Sequence, residues 1–365
     1  MGKRITETNL GYTGSCYGPS PAVRKAMESS LDLANSYPYE GYAELKKAIA
    51  AYSNVKQENI MVTNGCDEAI ALITYKFGQK VLIQAPTYSE FERIAKGISS
   101  EMRIKQQSIA NSPFRISFSE ADLRWASLAW ICTPNNPTGD VIARSKILDI
   151  ASRAKGIVAV DEAYYEYCKE TVADSVEEHR NLIVARTFSK AFAIEGVRLG
   201  YIISNPEMIL ALENSTHEYN VNRVARAAGI SVFRGMGYYA NEMKRLKSIK
   251  SDFEAGCKNL GFSLKGQALP YTLLMFDSEK ERDLCYDAFI KHGVVTLKNT
   301  HEEFTGFSDP CIRVAIGNRM QMEKALLALK STGHYVRLPN KAFGKKSRKF
   351  KISQNRKISN DSRSD

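Results

Sequence analysis

The stretch Ile157-Val158-Ala159-Val160-Asp161-Glu162-Ala163-Tyr164 is an apolar run of strand length that stops abruptly at two carboxylates and a tyrosine. Its apolar part lacks polar alternation, so the expected strand is buried on both faces, as in a parallel sheet covered by helices. A carboxylate that closes such a strand is costly unless it meets a partner. Similar runs lie on either side: 60–62, 81–83, 128–131, 182–184 and 199–203. Helical patterns at 67–77, 89–97 and 144–154 fall between several of them, which predicts an α/β layered fold with a mostly parallel central sheet sandwiched by helices.

Outside this block the rhythm changes. Residues 1–18 are rich in Gly and Tyr with little periodicity and are expected to form an extended arm. Helices are expected at 21–31, where Pro21 suits a helix start, and at 43–52. A long helical stretch, roughly 206–256, is expected to lead into a small α+β unit with strands at 273–276 and 311–316 and helices at 279–291 and 320–331. The predicted division is an arm with part of the small domain at 1–40, a large domain at 41–235, a small domain at 236–334 and a basic, disordered tail at 335–365.

Composition excludes several classes. The chain has 365 residues, 44% apolar and 25% charged, which is ordinary for a globular protein with a sizeable core. No apolar run approaches the length of a membrane span, and no apolar stretch follows the basic start, so neither a membrane partner nor a secretory signal is expected. Seven scattered cysteines without a CxxC pair suit reduced thiols in the cytoplasm. The five histidines lack HxH or HExxH spacing, so no metal is expected. The net charge of +11 is concentrated in the tail: residues 335–365 carry +8 and the remaining body only +3. That tail reads as a solvated terminus; charge alone would allow nucleic-acid contact, but Phe343 and Phe350 are too few for a stacking platform, and no nucleic-acid partner is expected.

In open α/β sheets ligands bind beyond the carboxyl ends of the strands. The residues found there are Thr63-Asn64-Gly65-Cys66-Asp67-Glu68, Gln84-Ala85-Pro86-Thr87-Tyr88, Cys132-Thr133-Pro134-Asn135-Asn136-Pro137, Asp161 to Tyr164, and Ala185-Arg186-Thr187-Phe188-Ser189-Lys190, with Arg198 eight residues beyond the lysine. Together they offer an anion-binding helix start, an aromatic plate, a carboxylate, phenol and amide donors, and a lysine with an arginine nearby. That set suits a flat, phosphorylated aldehyde heterocycle, and pyridoxal phosphate fits it.

These segments, followed by Cys311-Ile312-Arg313-Val314, occur in the order seen in fold-type I aminotransferases. From about residue 10 to 331 the chain resembles the histidinol-phosphate aminotransferase branch, which also includes threonine-phosphate decarboxylases. The resemblance implies a large cofactor domain with a small α+β domain and a homodimer with shared sites. It also implies an amino-acid biosynthetic enzyme exchanging an amino group between an amino acid and a 2-oxo acid. It makes Lys190 the covalent anchor and proton carrier, Asp161 the partner of the pyridine nitrogen, and Tyr164 and Asn136 the donors to the 3′ oxygen. Tyr88 would stack on the ring. Thr187, Ser189, Arg198 and the amides of Cys66 and Asp67 would hold the phosphate. The Asp67 side chain is expected to point away and cap its helix. Tyr37 would reach the neighbour's phosphate, and Arg313 the substrate carboxylate.

The chain departs from that family at three places expected to lie near the substrate: Thr13-Gly14-Ser15-Cys16 stands for Asn-Glu-Asn-Pro, Tyr271-Thr272 for Asn-Phe, and Val295-Thr296-Leu297-Lys298 where an arginine is usual. Two other readings stay open on the same residues, a decarboxylase or lyase and a non-catalytic cofactor-binding regulator.

Overall fold

In the computed structural model, the described residues are 7–110, 113–266, 268–299 and 304–333. The expected tail at 335–365 lies outside them. Seven strands form the central sheet, in the spatial order 60–63, 200–203, 182–187, 157–161, 128–132, 80–84 and 101–105. Neighbours pair in parallel from 101–105 across to 182–187. Only 200–203 runs against both of its neighbours. The edge strand at 101–105, with exposed and half-buried side chains, has no apolar run and was not predicted.

Successive side chains of the central strands enter different cores. Val158, Val160, Leu182, Val184 and Ile131 join one apolar cluster, whereas Ala159, Ile183, Ala185, Trp130 and Leu128 join another. That two-sided burial is why the runs carry no polar alternation. Because six strands share one direction, the polar residues following 63, 84, 132, 161 and 187 emerge along the same edge. The chain then returns through 188–199 into the antiparallel strand, which folds Lys190 and Arg198 over that edge.

A second sheet, antiparallel throughout, orders 263–265, 271–275, 311–315 and 297–298. Helices Met236–Asn259, Glu279–Lys291 and Arg319–Ser331 cover it with Leu246, Phe253, Phe289 and Leu329. The N-terminal arm joins this layer: Thr8–Asn9 pairs with Val294–Val295 in parallel, and the Ala315 N–H donates to the Leu10 carbonyl at 2.8 Å. The two layers are also stitched at the site edge, where Phe304–Thr305 pairs with Thr87–Tyr88.

The expected long helical stretch, roughly 206–256, is three helices, Pro206–Glu213, Arg223–Val232 and Met236–Asn259. The first break follows from local chemistry, since the Asn222 side chain accepts from the Ala225 N–H and starts a new helix.

Candidate active site

At the carboxyl edge of the sheet lies a cavity of about 580 Å³. Eleven of the twelve predicted site residues line it; Tyr37 does not. Tyr37 is 62% exposed and stacks on Tyr219 with ring centres 5.4 Å apart, outside the cavity of its own chain.

Lys190 sits in the loop after strand 182–187. Its Nζ donates to Thr13 Oγ1 at 2.9 Å and lies 5.8 Å from the centre of the Tyr164 ring. Thr13 Oγ1 is also 3.1 Å from the Tyr164 hydroxyl, so one arm residue ties the lysine to the tyrosine. Lys190 makes no ion pair with any described carboxylate, which leaves its amine directed into the cavity.

Asp161 ends its strand 4% exposed. Its Oδ1 accepts from the Ala163 N–H at 2.9 Å and lies 3.9 Å from Cys66 Sγ. Burial, with the neighbouring Asp67 charge, pushes the carboxyl up to about 6, while Lys190 and the Ala163 N–H pull the other way. A buried carboxylate held there suits a cationic ring nitrogen. Burial likewise pushes the Cys66 and Cys132 thiols upward, so both behave as walls rather than nucleophiles.

The opposite end is an anion cradle. Gly65, with φ +81 and ψ 170, precedes helix Cys66–Phe77 in a conformation essentially reserved for glycine. A Cβ on Gly65 would come within 2.5 Å of Arg198 Nη2, and one on Gly200 within 2.8 Å of Cys66 N. The two missing side chains let backbone amides and guanidinium close on one point, beside the positive end of a twelve-residue helix. Thr187 Oγ1 and Ser189 Oγ, 3.0 Å apart, complete it.

Asp67 departs from its expected role. Its side chain does not cap the helix: Gly65 occupies the cap, and Glu68 Oε2 accepts from the Asn64 N–H instead. The Asp67 carboxylate faces two donors, Arg198 Nη2 at 2.6 Å and the Tyr88 hydroxyl at 3.1 Å. It therefore orients Tyr88 and Arg198 together.

Arg313 is 6% exposed on one of the two inner strands of the small sheet. Its Nη1 donates to Asn136 Oδ1 at 3.0 Å and its Nη2 to the Gly11 carbonyl at 2.9 Å, while its Nε is buried without a partner. A buried guanidinium with neutral neighbours and an orphaned N–H is arranged for an external anion.

Sequence reasoning gave no individual role to Thr13 or Tyr271, which it placed near the substrate, and did not single out Glu195, which lines the cavity. The Tyr271 hydroxyl donates to the same Asn136 Oδ1 at 3.2 Å. Thr13 and Tyr271 stand at two of the departures from the family pattern and touch the predicted cofactor residues, so those departures are not confined to the substrate side. Lys298, at the third, pairs with Asp283 at 3.3 Å and does not line the cavity.

Sheet, lysine, buried carboxylate and anion cradle together define an enzyme built around a flat, phosphorylated aldehyde cofactor. Comparison with known proteins gives that class its family. The profile of aminotransferase class I and II matches residues 6–329, and the chain belongs to this family. A histidinol-phosphate aminotransferase of Desulfitobacterium hafniense is 35% identical over 319 residues, covering 85% of this chain and 87% of the relative. The structure of the Sinorhizobium meliloti histidinol-phosphate aminotransferase in complex with pyridoxal-5′-phosphate superposes with a TM-score of 0.79 at 20% identity, covering 89% and 90% of the two chains. L-threonine-O-3-phosphate decarboxylase of Porphyromonas gingivalis shares the fold with a TM-score of 0.75 at 22% identity, covering 89% and 98%. The protein is a pyridoxal-phosphate-dependent aminotransferase.

Proposed function

We propose that this cavity exchanges an amino group between an L-amino acid and a 2-oxo acid, using Lys190 as covalent anchor and proton carrier. The observation that carries the reading is that Lys190 and Arg313 face one cavity with no carboxylate paired to either among the described residues. Pyridoxal phosphate, when bound, supplies an aldehyde that takes up the amino group and a ring that accepts electrons from the substrate Cα.

The cradle of Cys66 and Asp67 amides, Thr187, Ser189 and Arg198 fixes the phosphate. Asp161 keeps the ring nitrogen protonated, since a buried carboxylate and a cation stabilise each other strongly at low dielectric. Tyr88 covers one face, held by its bond to Asp67. Tyr164 and Asn136 donate toward the 3′ oxygen, and Thr13 hands the Lys190 amine a hydrogen-bond acceptor while it is protonated. Arg313 grips the α-carboxylate and is itself fixed by Asn136 and Gly11. A carboxylate anchored there stays on the substrate and leaves the Cα proton to Lys190, which supports transamination over decarboxylation.

The reading extends to the assembly and its setting. Residues 41–235 act as the cofactor domain, and 236–334 with the 1–40 arm as the smaller domain. Two copies form a homodimer in which Tyr37 reaches the neighbour's phosphate, a role suited to its exposure beside Tyr39 and Leu33. The enzyme works in the cytoplasm, where seven free cysteines are stable. No helix among the described residues is long and apolar enough to cross a membrane.

The test is spectroscopic. Each of a panel of L-amino acids is added to purified protein loaded with pyridoxal phosphate, and the cofactor absorbance is followed. At least one donor converts it to the amine form, and Lys190→Ala abolishes both the covalent band and the conversion. Persistence of both in the variant would refute the assignment.

A further inference from the structure

Asn136 follows strand 128–132, lines the cavity and is 7% exposed. Two donors converge on its Oδ1: Arg313 Nη1 at 3.0 Å and the Tyr271 hydroxyl at 3.2 Å. A guanidinium carries N–H groups only, so the amide atom facing it is the oxygen, and the phenol that shares this oxygen donates as well. Both donors belong to the small sheet. With its oxygen held on that side, the amide has Nδ2 as its one donor for the cavity.

Tyr271 is fully buried and does not itself line the cavity. It opens strand 271–275 opposite Ala315, so the small sheet fixes its place. Its ring meets the Tyr164 ring edge-on, with centres 6.2 Å apart and planes at 82°, and the Arg313 guanidinium carbon lies 5.2 Å from its centre. Its hydroxyl, the polar tip of a buried aromatic, spends its proton on Asn136. Burial pushes the phenol well above its ordinary value, and the neighbouring Tyr164 adds to this, so the group keeps its proton and stays a donor. Arg313 has a second task, because a substrate carboxylate draws on the same N–H groups. Tyr271 has no other acceptor among the described residues and can hold Asn136 while Arg313 is engaged.

We infer that Tyr271 is a positioning residue: its hydroxyl holds the Asn136 amide with Nδ2 toward the 3′ oxygen of the cofactor, with or without substrate at Arg313. The inference rests on the reading of Asn136 as a donor to that oxygen. Its signature is electronic. In the loaded enzyme the 3′ oxygen shares a proton with the Lys190 nitrogen, and a donor from the protein stabilises the oxygen's charge once that proton leaves. Each donor therefore lowers the pH at which the covalent absorbance changes, and losing one raises it. The effect of Tyr271 must pass through Asn136, which gives the inference a form that packing alone does not share.

The experiment is a double-mutant cycle on four proteins loaded with pyridoxal phosphate: wild type, Tyr271→Phe, Asn136→Ala and the pair. The covalent absorbance of each is titrated with pH. Tyr271→Phe should raise the midpoint by about half a unit, Asn136→Ala by at least as much, and the pair no further than Asn136→Ala. Phenylalanine keeps the ring contacts with Tyr164 and Arg313, so a role in packing alone would leave the midpoint at the wild-type value. The charged groups around the cofactor, Asp67, Asp161, Arg198 and Arg313, are the same in all four proteins. Where a midpoint falls outside the pH range the fold tolerates, fluorescence titration of pyridoxal phosphate affinity runs the same cycle, with about a threefold loss expected for Tyr271→Phe and none added to Asn136→Ala. An effect of Tyr271→Phe that persists undiminished in the Asn136→Ala background, or none where Asn136→Ala has one, overturns the inference while the Asn136 reading stands. No effect of Asn136→Ala overturns that reading and this inference with it.

Discussion

Replacing Asp161 with asparagine should separate the stability of this chain from its chemistry. In the folded protein, burial at the end of a strand beside Asp67 pushes the carboxyl up to about 6, against 3.8 for an ordinary aspartate. Below pH 3.8 both folded and unfolded chains hold the proton and the residue makes no difference. Between 3.8 and about 6 the unfolded chain ionises first, so the folded state is progressively penalised, and above about 6 the penalty is complete. A rise of this size corresponds to a cost on the order of 3 kcal/mol. Asparagine has the same shape and can still accept the Ala163 N–H, yet carries no charge. Cofactor-stripped Asp161→Asn should therefore resist urea better than cofactor-stripped wild type at about pH 8, with the advantage fading toward about pH 4. Saturation with pyridoxal phosphate should erase the gain, because only the aspartate then has a cationic partner, and turnover should fall by orders of magnitude. Denaturation midpoints at constant slope, taken at both pH values with and without cofactor, measure this. A variant no more stable than wild type near pH 8, or equally favoured at both pH values, would refute the burial argument.

Gly65→Ala places a Cβ 2.5 Å from Arg198 Nη2 and forces a backbone conformation that costs about 1–3 kcal/mol for any other residue; fluorescence titration should show pyridoxal phosphate affinity at least about tenfold weaker, and unchanged affinity would remove the cradle. Glu162→Ala strands Arg186, which donates to Glu162 Oε2 from Nε at 3.0 Å and from Nη2 at 2.8 Å with both side chains buried, so urea unfolding should show a loss of about 3–5 kcal/mol, and a loss under about 1 kcal/mol would mean the pair is not closed in solution. Mixed dimers of Tyr37→Phe with Lys190→Ala test sharing across subunits, since one of the two sites in each hybrid would carry both defects and the other neither. Recovery of about half the wild-type activity per hybrid is expected, given that each dimer keeps one intact site; hybrids with no activity would contradict it.

Most of the site could be read from one dimension because it is local. Each strand delivers its own polar residues at its carboxyl end, so Asn64 to Asp67, Asn136, Asp161 to Tyr164 and Thr187 to Lys190 carry their positions in the pattern that makes the strands. Arg313 could be read for a related reason, since a lone cation within Ile312-Arg313-Val314 stands out on a buried strand. Thr13 could not, because the arm has no periodicity and its partners, Lys190 and Tyr164, lie 177 and 151 residues away. Asp67 was visible but misjudged: its place in the first turn suggested a cap, whereas its carboxylate has two better donors that arrive from 88 and 198. The break at 213–223 carried a cap signal at Asn222 that a helix-length apolar pattern obscured.

Two-sided strand burial, the α/β order and the placement of reactive groups at strand ends follow from residue type and spacing, because a strand's hydrogen bonding and its alternation of faces are properties of adjacent residues. The reversed direction of strand 200–203, the edge strand at 101–105 and the alignment of Gly11, Thr13 and Gly14 against Arg313, Lys190 and Glu195 were decided only in the folded molecule. Those contacts join segments separated by up to about three hundred residues, and their geometry depends on how two layers and an arm pack. No spacing rule reaches that far, since packing balances the whole core at once rather than any one neighbourhood.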